Sequence, residues 1–214
     1  MRILLTGFDP FGGEAVNPAW EAVKLVPDTI SNAQLIKLEI PTVFKKGPQA
    51  IFEKIEEVNP DVVLSIGQAG GRSAITVEFV GINWADGRIP DNEGNRPIGE
   101  KIFADGETAY FSTLPVKAMF SEIKKQGIPA FLSYTAGTYV CNDVLYSVCY
   151  YIEKQNKNIR SGFIHVPFAS NQVIDKANGT ASMDIRVIAK AIESAIEAIC
   201  STQEDIKESM GETD

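Results

Sequence analysis

The sequence contains a single histidine, His165, among 214 residues, and this scarcity narrows the chemistry open to the chain. A cysteine hydrolase needs an imidazole that accepts the thiol proton and later protonates the leaving group. Cys141 follows the small-residue segment 135–140 and precedes a predicted helix. At a helix N-terminus, backbone N–H groups and the helix dipole would lower the pKa of the thiol and could bind an oxyanion. Cys141 and His165 could thus be two thirds of a catalytic triad, although a histidine by itself is more often only half-buried and hydrogen-bonded.

The third member of such a triad is a carboxylate or an amide that orients the imidazole. Glu78 is the first candidate because it lies inside an otherwise apolar predicted strand, 75–82. An acid in that setting either faces solvent or is buried with a partner, and His165 would be that partner. Asp86 and Asp91, in the irregular segment that follows, are the alternatives.

The elements that must position these residues alternate between strand and helix, which favours an α/β sandwich formed by residues 1–202 as one domain. The predicted strands are 2–6, 34–40, 61–66, 75–82, 130–134 and 162–166. The predicted helices are 18–25, 48–58, 115–125, 142–154 and 184–200. Segment 83–105 is rich in Gly, Pro, Asp and Asn, and its length predicts a functional or disordered loop. Residues 203–214 form a polar, acidic tail that we expect to be frayed.

The order of these elements predicts that Cys141 and His165 meet. Strand 130–134 leads into the loop before Cys141, the next helix runs back along the sheet, and strand 162–166 returns. If that return is parallel, as the crossover rule suggests, His165 ends at the edge where Cys141 begins its helix. Open α/β sheets bind their ligands at this edge, so a cysteine–histidine hydrolase is the leading interpretation.

Composition disfavours several other classes of protein. The net charge of −8 argues against binding to nucleic acid or to anionic lipid. No apolar run approaches the roughly 18 residues of a membrane span. Three cysteines without paired spacing argue against a disulfide framework, so we expect reduced thiols and a cytoplasmic location. Cys149 and Cys200 are expected to pack as small hydrophobes.

We expect neither a metal nor a cofactor. The sequence has no cluster of cysteines and histidines with the spacing of a zinc site. The glycine-rich segment 7–13 lacks the Gly-Lys-[Ser/Thr] of a phosphate-binding loop and the glycine spacing of a dinucleotide fingerprint.

Taken together, the motifs resemble those of one family, the pyrrolidone-carboxylate peptidases, also called pyroglutamyl peptidases of type I. The matching segments follow the family order over nearly the whole chain: 4–13, 17–18, 67–72, 75–83, 88–92, 135–142 and 165–168. By this resemblance Cys141 is the nucleophile, His165 the general base and acid, and Glu78 the orienting carboxylate. The resemblance also implies an open twisted α/β/α sandwich with a mixed, mostly parallel sheet, a cytosolic enzyme, and a homotetramer.

The substrate implied by the resemblance is a peptide that begins with 5-oxoproline (pyroglutamate), which the enzyme removes. That residue is a neutral lactam, so its pocket should be apolar and aromatic with a few amide partners. Phe8 and Phe11 match the family's ring-packing phenylalanines. Asn17 is either a helix cap or a contact for the substrate. Gln68 and Arg88 match positions near the family's oxyanion region.

One departure from the family pattern lies beside the candidate acid. Phe79, Val80 and Gly81 follow Glu78 where many members carry Arg-Val-Ala, so the arginine next to the acid is absent. Three alternative functions stay open on the residues alone. They are a Cys–His amidase for another small acyl group, a non-catalytic binding protein on the same scaffold, and a phosphate-using nucleoside enzyme.

Overall fold

Apolar strands and amphipathic helices alternate to form a sheet covered on both faces, in a computed structural model that describes residues 1–211. The strands are β1 (Arg2–Phe8), β2 (Thr29–Ile30), β3 (Ala33–Ile40), β4 (Val62–Gln68), β5 (Ile75–Glu78), β6 (Val80–Ile82), β7 (Ala109–Phe111), β8 (Ala130–Ser133), β9 (Arg160–Val166), β10 (Phe168–Ala169) and β11 (Ser182–Met183). The helices are α1 (Pro18–Leu25), α2 (Lys46–Val58), α3 (Val116–Lys125), α4 (Val140–Lys154) and α5 (Ile185–Ser201).

The central sheet has seven strands in the order β2-β3-β1-β4-β9-β5-β8. Strands β3, β1, β4 and β9 run parallel to one another, and the short edge strand β2 is antiparallel to β3. Strand β5 is antiparallel to β9 and parallel to β8. The prediction of an α/β fold with a mixed, mostly parallel sheet is therefore confirmed.

Two apolar layers close the faces of the sheet. Helices α1, α3 and α5 bury side chains such as Val23, Met119 and Ile192 against one face. Helices α2 and α4 bury Ile51 and Val144 against the other face. Because the central strands are covered on both sides, six of the seven residues in each of β1, β4 and β9 are buried.

The connection that carries the candidate nucleophile differs from the predicted parallel crossover. Because β8 is parallel to β5 and β5 is antiparallel to β9, strands β8 and β9 run in opposite directions. Loop 134–139 therefore carries the chain from the carboxyl end of β8 to the carboxyl end of β9, where α4 begins. The crossover rule applies to parallel strand pairs only, so it could not anticipate this path.

The predicted strand 75–82 is in fact two strands. Strand β5 ends at Glu78, and β6 leaves the central sheet to pair antiparallel with β7. Phe79 lies at the break and stacks on Tyr134, with ring centroids 5.0 Å apart. Periodicity did not reveal the break because apolar residues continue through it.

Helix α1 begins as the sequence predicts. Asn17 Oδ1 accepts a hydrogen bond from Ala19 N at 3.0 Å, and Pro18 occupies the first helical position. The helix also lies very close to β1, since a Cβ on Gly7 would be 2.8 Å from Trp20 Cα. The start of α1 is thus fixed beside the loop that follows β1.

The acidic tail is not frayed over the residues that the structure describes. Asp205 accepts hydrogen bonds from Lys117 N and Ala118 N, each at 3.0 Å, and so caps the start of α3. Ile206 and Met210 pack against the apolar layer of α3 and α5. The prediction of fraying is wrong up to residue 211, and its last part, 212–214, lies outside the described residues.

Segment 83–105 has little regular structure but is held by hydrogen bonds. The buried Asp91 carboxylate accepts from Phe44 N and Asn95 N at 2.9 and 2.8 Å. Asn142, in the first turn of α4, donates to Trp84 O at 2.9 Å. Among residues 1–211, no helix is both long and apolar enough to cross a membrane.

Candidate active site

Cys141 is the second residue of α4, and its sulfur lies over the carboxyl end of β4. The approach is so close that a Cβ on Gly67 would be 2.9 Å from Cys141 Sγ. Gly67 is paired in register with His165 on β9, and both Cys141 and His165 line the same cavity. The structure therefore brings the candidate nucleophile and the only imidazole of the sequence to one point of the sheet edge.

Glu78, on the antiparallel strand β5, holds the imidazole. His165 Nδ1 and Glu78 Oε1 are 2.7 Å apart, and both side chains are buried. Because Nδ1 is bonded to the carboxylate, Nε2 is the ring nitrogen left for exchanging a proton with the thiol or a substrate. In the register of β5 against β9, Thr76 lies opposite His165 and Glu78 lies opposite Phe163. Thr76 and Glu78 are two residues apart and share one face of the sheet with His165, so the Glu78 carboxylate can reach the imidazole.

Glu78 has a second partner that reasoning from the sequence missed. Arg72 Nη1 lies 2.8 Å from the same Oε1 atom, and the arginine side chain is 29% exposed. Glu78 Oε2 is buried without a hydrogen-bond partner among the described residues. The available signal was a cation at the end of turn 67–72, directly before the strand that carries the acid.

The Glu78 carboxylate is charged at neutral pH. Burial by itself raises the pKa of Glu78, but the hydrogen bond and the charge of His165 lower it, with smaller contributions from Ser133 and Arg72. The result is a pKa below the ordinary value of a glutamate. A fixed negative charge next to Nδ1 orients the ring.

The thiol is not activated in the way that the sequence predicts. Burial raises the pKa of Cys141 to about 12, the charge of Glu78 also raises it, and the charge of Arg72 lowers it. The helix N-terminus favours the thiolate, but taking a thiolate out of water is costly, and the pKa of the buried thiol is raised. The thiol therefore rests protonated, and its proton has to leave by transfer to a base such as His165.

A cavity of about 200 Å³ opens beside the thiol. This volume is below the range of sites for drug-sized ligands and suits a group the size of one residue. Four of the five predicted substrate contacts line it, namely Phe8, Phe11, Asn17 and Gln68. Arg88 is exposed and does not belong to the wall.

The aromatic part of the wall is held by further aromatic rings. Phe8 is 2% exposed and packs on Phe163, with ring centroids 6.2 Å apart. Phe11 lies 6.2 Å from the ring of Tyr139, whose hydroxyl donates to Pro90 O at 3.0 Å. Burial raises the pKa of Tyr139 to about 12, so this hydroxyl is neutral at ordinary pH. The wall therefore offers apolar surface without a charge on its rings.

The polar members of the wall are already engaged with the protein. Asn17 caps α1 through its oxygen, and its Nδ2 donates to Asp9 O at 2.9 Å, so it is both a helix cap and part of the wall. Gln68 Oε1 accepts from Gln172 Nε2 at 3.1 Å. The amide N–H groups of Gln68 are therefore the polar atoms that it can offer to a ligand.

The alternative acids, Asp86 and Asp91, do not line this cavity. Burial by itself raises the pKa of Asp91, but hydrogen bonds from Asn95, Phe44 and Glu93 lower it below its ordinary value. Asp91 therefore orders the irregular segment. Asp86 is exposed.

Sequence reasoning also missed Thr42, Ala69 and loop 136–139 as parts of the wall. The loop directly precedes Cys141 and lies within the matching segment 135–142, and these were its signals in the sequence. Thr42 and Ala69 come from separate loops that follow β3 and β4, so only the folded sheet brings them together.

The other cysteines lie away from the cavity. Cys149 is buried on α4 beside Ser161 Oγ at 3.3 Å, and burial raises its pKa to about 11. Cys200 is half-buried near the end of α5. Within the described part of the chain, no group of three His, Cys, Asp or Glu side chains is placed to hold a metal ion.

A thiol in the first turn of a helix and an imidazole held by a buried carboxylate, at the edge of an α/β/α sandwich, define a cysteine hydrolase. Comparison with known proteins names the family. The family model for pyroglutamyl peptidase matches residues 1–202. The pyrrolidone-carboxylate peptidase of Clostridium perfringens is 60% identical over 207 residues, which is 97% of both chains. That of Finegoldia magna is 56% identical over 213 residues and covers 100% of both chains.

Solved structures agree with this assignment. Pyroglutamyl peptidase I from Bacillus amyloliquefaciens is 45% identical and superposes with a TM-score of 0.93, covering 97% of this chain and 99% of its own. Pyrrolidone carboxyl peptidase from Thermococcus litoralis is 37% identical with a TM-score of 0.92, again over 97% of this chain and 99% of its own. The chain belongs to the pyroglutamyl peptidase family of cysteine peptidases. The resemblance seen in the sequence motifs is thereby confirmed.

Proposed function

We propose that the protein hydrolyses the amide bond after an N-terminal 5-oxoproline and releases a peptide with a free amino terminus. One observation carries the proposal. Cys141 and His165, which is hydrogen-bonded to Glu78, line the same small cavity as Phe8 and Phe11. Membership of the pyroglutamyl peptidase family supports the same substrate.

In the first half of the reaction His165 Nε2 takes the proton from Cys141 Sγ, and the sulfur attacks the carbonyl carbon of 5-oxoproline. The N–H groups in the first turn of α4 stabilise the negative charge that forms on the carbonyl oxygen. The carbon–nitrogen bond then breaks, and His165 gives its proton to the departing amine. The product of this half is a thioester between Cys141 and the 5-oxoprolyl group.

In the second half, water replaces the amine. His165 takes a proton from the water molecule, whose oxygen attacks the thioester carbonyl. The carbon–sulfur bond breaks, free 5-oxoproline leaves, and the thiol of Cys141 regains a proton. Glu78 stays ionised throughout, and its charge stabilises the imidazolium that forms in each half.

The cavity supports a neutral ring as its occupant. Phe8 and Phe11 offer apolar faces to the lactam, and the amide groups of Asn17 and Gln68 are the candidates for its N–H and C=O. Arg88 remains a candidate contact for the substrate outside the cavity wall, on the strength of the family motif alone.

The location and assembly of the protein are part of the same proposal. Three free cysteines suit a reducing compartment, and we place the enzyme in the cytoplasm. We also propose a homotetramer, as the family resemblance implies. Exposed apolar side chains such as Ile98, Phe111 and Ile174, which are 82%, 67% and 77% exposed, offer surface for contacts between copies. The net charge of −8 disfavours nucleic acid as a partner.

A panel of chromogenic amides tests the substrate. The proposal predicts release from the 5-oxoprolyl amide and none from the prolyl amide, which has the same ring but carries an ammonium group instead of the lactam. Release from an acetyl or other small acyl amide, with the 5-oxoprolyl amide untouched, would favour the alternative of a Cys–His amidase for another acyl group.

A further inference from the structure

Arg72 occupies an unusual place beside the candidate triad. Its guanidinium lies 2.8 Å from the Glu78 oxygen that also binds His165 Nδ1, at 2.7 Å. Arg72 also lines the cavity that holds Cys141. One cation therefore contacts the orienting acid and faces the site of reaction.

We propose that Arg72 is a positioning residue of this active site: it fixes Glu78 against His165 and supplies the positive charge that offsets the carboxylate at Cys141. The inference rests on the proposed function, since it assigns Arg72 to the same reaction. Phe79 stands where many members carry arginine and stacks on Tyr134, so Arg72, at the end of turn 67–72, is the arginine that contacts Glu78 here.

The first step of the argument is geometric. Glu78 is 0% exposed, and its Oε2 has no hydrogen-bond partner among the described residues, so Oε1 alone fixes the carboxylate. Two charge-assisted bonds at one oxygen, from different elements, restrict the carboxylate more than one bond would. Without the guanidinium, Glu78 would lose the one of its two Oε1 partners that it does not itself have to orient.

The second step is electrostatic. The titratable and charged groups around Cys141 are Glu78 on β5, His165 on β9, Arg72 after β4 and Tyr139 before α4. Glu78 raises the pKa of the Cys141 thiol, and Arg72 is the group that lowers it. The buried carboxylate of Glu78 and the half-buried guanidinium of Arg72 therefore act on the thiol with opposite sign.

The third step asks whether Glu78 would stay charged without Arg72. Burial raises the pKa of Glu78, and the interactions with His165 lower it more than Arg72 does. Glu78 therefore remains ionised when Arg72 is neutralised, and its negative charge then acts on Cys141 without compensation. The consequence is a thiol that is harder to ionise.

The test is the rate of Cys141 alkylation by iodoacetamide as a function of pH, with tandem mass spectrometry to separate Cys141 from Cys149. Arg72→Gln and Arg72→Met both remove the charge, and Met keeps more of the aliphatic stem. Arg72→Lys keeps the charge but not the planar fork. Arg186→Gln is the matched control, because Arg186 is exposed at the start of α5 and its substitution changes the net charge equally.

We expect the neutral variants to be alkylated about three- to tenfold more slowly on the acid side of the profile, as for a thiol pKa raised by about 0.5 to 1. The profile of Arg72→Lys should lie nearer to wild type, and that of Arg186→Gln should coincide with it. The pH profile of kcat/KM on a 5-oxoprolyl amide should move in the same direction. A purely structural role would slow Arg72→Lys as much as Arg72→Gln, because both lose the planar fork of the guanidinium.

Alkylation of Arg72→Gln at the wild-type rate would overturn the inference. So would a rate for Arg72→Lys that matches that of Arg72→Gln, because the charge would then be irrelevant. Thermal unfolding checks that each variant is folded. If wild type cleaves no 5-oxoprolyl amide, the proposed function fails, while the alkylation profile still decides the role of Arg72.

Discussion

The close contact between Gly67 and the thiol gives the sharpest test of the site's geometry. In Gly67→Ala the new methyl group would lie 2.9 Å from Cys141 Sγ and 2.7 Å from the ring of Phe163. Phe163 is 1% exposed and wedged between Phe8 and His165, so it has little room to move. Non-bonded heavy atoms prefer about 3.5 to 4.0 Å, so the thiol or its helix must shift by roughly 0.6 to 1 Å.

A misplacement of this size in an active site can cost about 100-fold in rate. We therefore expect kcat/KM of Gly67→Ala on a 5-oxoprolyl amide to fall about 10- to 100-fold, with a loss of about 1 to 3 kcal/mol in the free energy of unfolding. The matched control is Gly162→Ala on β9, whose Cβ would clash with Ser112 Oγ at 2.6 Å, away from the thiol. It should lose similar stability and keep most of its activity. Wild-type kcat/KM in Gly67→Ala would refute the placement of the sulfur over β4.

Three further substitutions test separate parts of the structure. Glu78→Gln should stay folded and lose about 10²- to 10⁴-fold in kcat, because a neutral amide cannot stabilise the imidazolium; unchanged kcat would remove Glu78 from the triad. Burial of Asp143, on α4, raises its pKa from 3.8 to about 6 in the folded protein, so stability is lost as the pH rises through this range. The unfolding free energy of wild type should therefore fall by up to about 3 kcal/mol relative to that of Asp143→Asn between pH 4 and pH 6. Urea unfolding of both proteins across that range measures the difference in unfolding free energy. A difference that does not change with pH would contradict the raised pKa of Asp143. Asp205→Ala should lower the unfolding free energy by about 1 kcal/mol through loss of the α3 cap, with activity unchanged; an unaltered urea midpoint would mean that the tail adds nothing.

Much of the site could be predicted because its signals are local in the sequence. Asn17 and Pro18 mark the start of α1 by their capping chemistry, and the structure has the helix there. Cys141 and His165 stand out because the chain has only one imidazole and because a small-residue turn precedes the cysteine. The cap and the turn depend on neighbouring residues only, and the single imidazole is a count that needs no structure.

What could not be predicted depends on contacts between distant segments. The direction of β8 follows from its pairing with β5, which no local pattern encodes. The pKa of Cys141 is raised by burial under other elements, which no local pattern in the sequence reveals. The Asp205 cap joins residues far apart in the chain, so composition alone suggested a frayed tail.

The contact between Arg72 and Glu78 is an intermediate case. The two residues are six positions apart, but a strand and its preceding turn had to be placed before their side chains could be paired. The family motif includes both turn 67–72 and the strand that carries Glu78, but it does not show that Arg72 and Glu78 are in contact.

The most direct test of the central claim compares wild type with Cys141→Ala for release of a chromophore from a 5-oxoprolyl amide in reducing buffer. The mechanism predicts release by wild type and none above background by Cys141→Ala, with both proteins equally folded. Equal release by the two proteins would show that Cys141 is not the nucleophile. No release by a folded wild type would contradict the assignment of 5-oxoproline as the substrate.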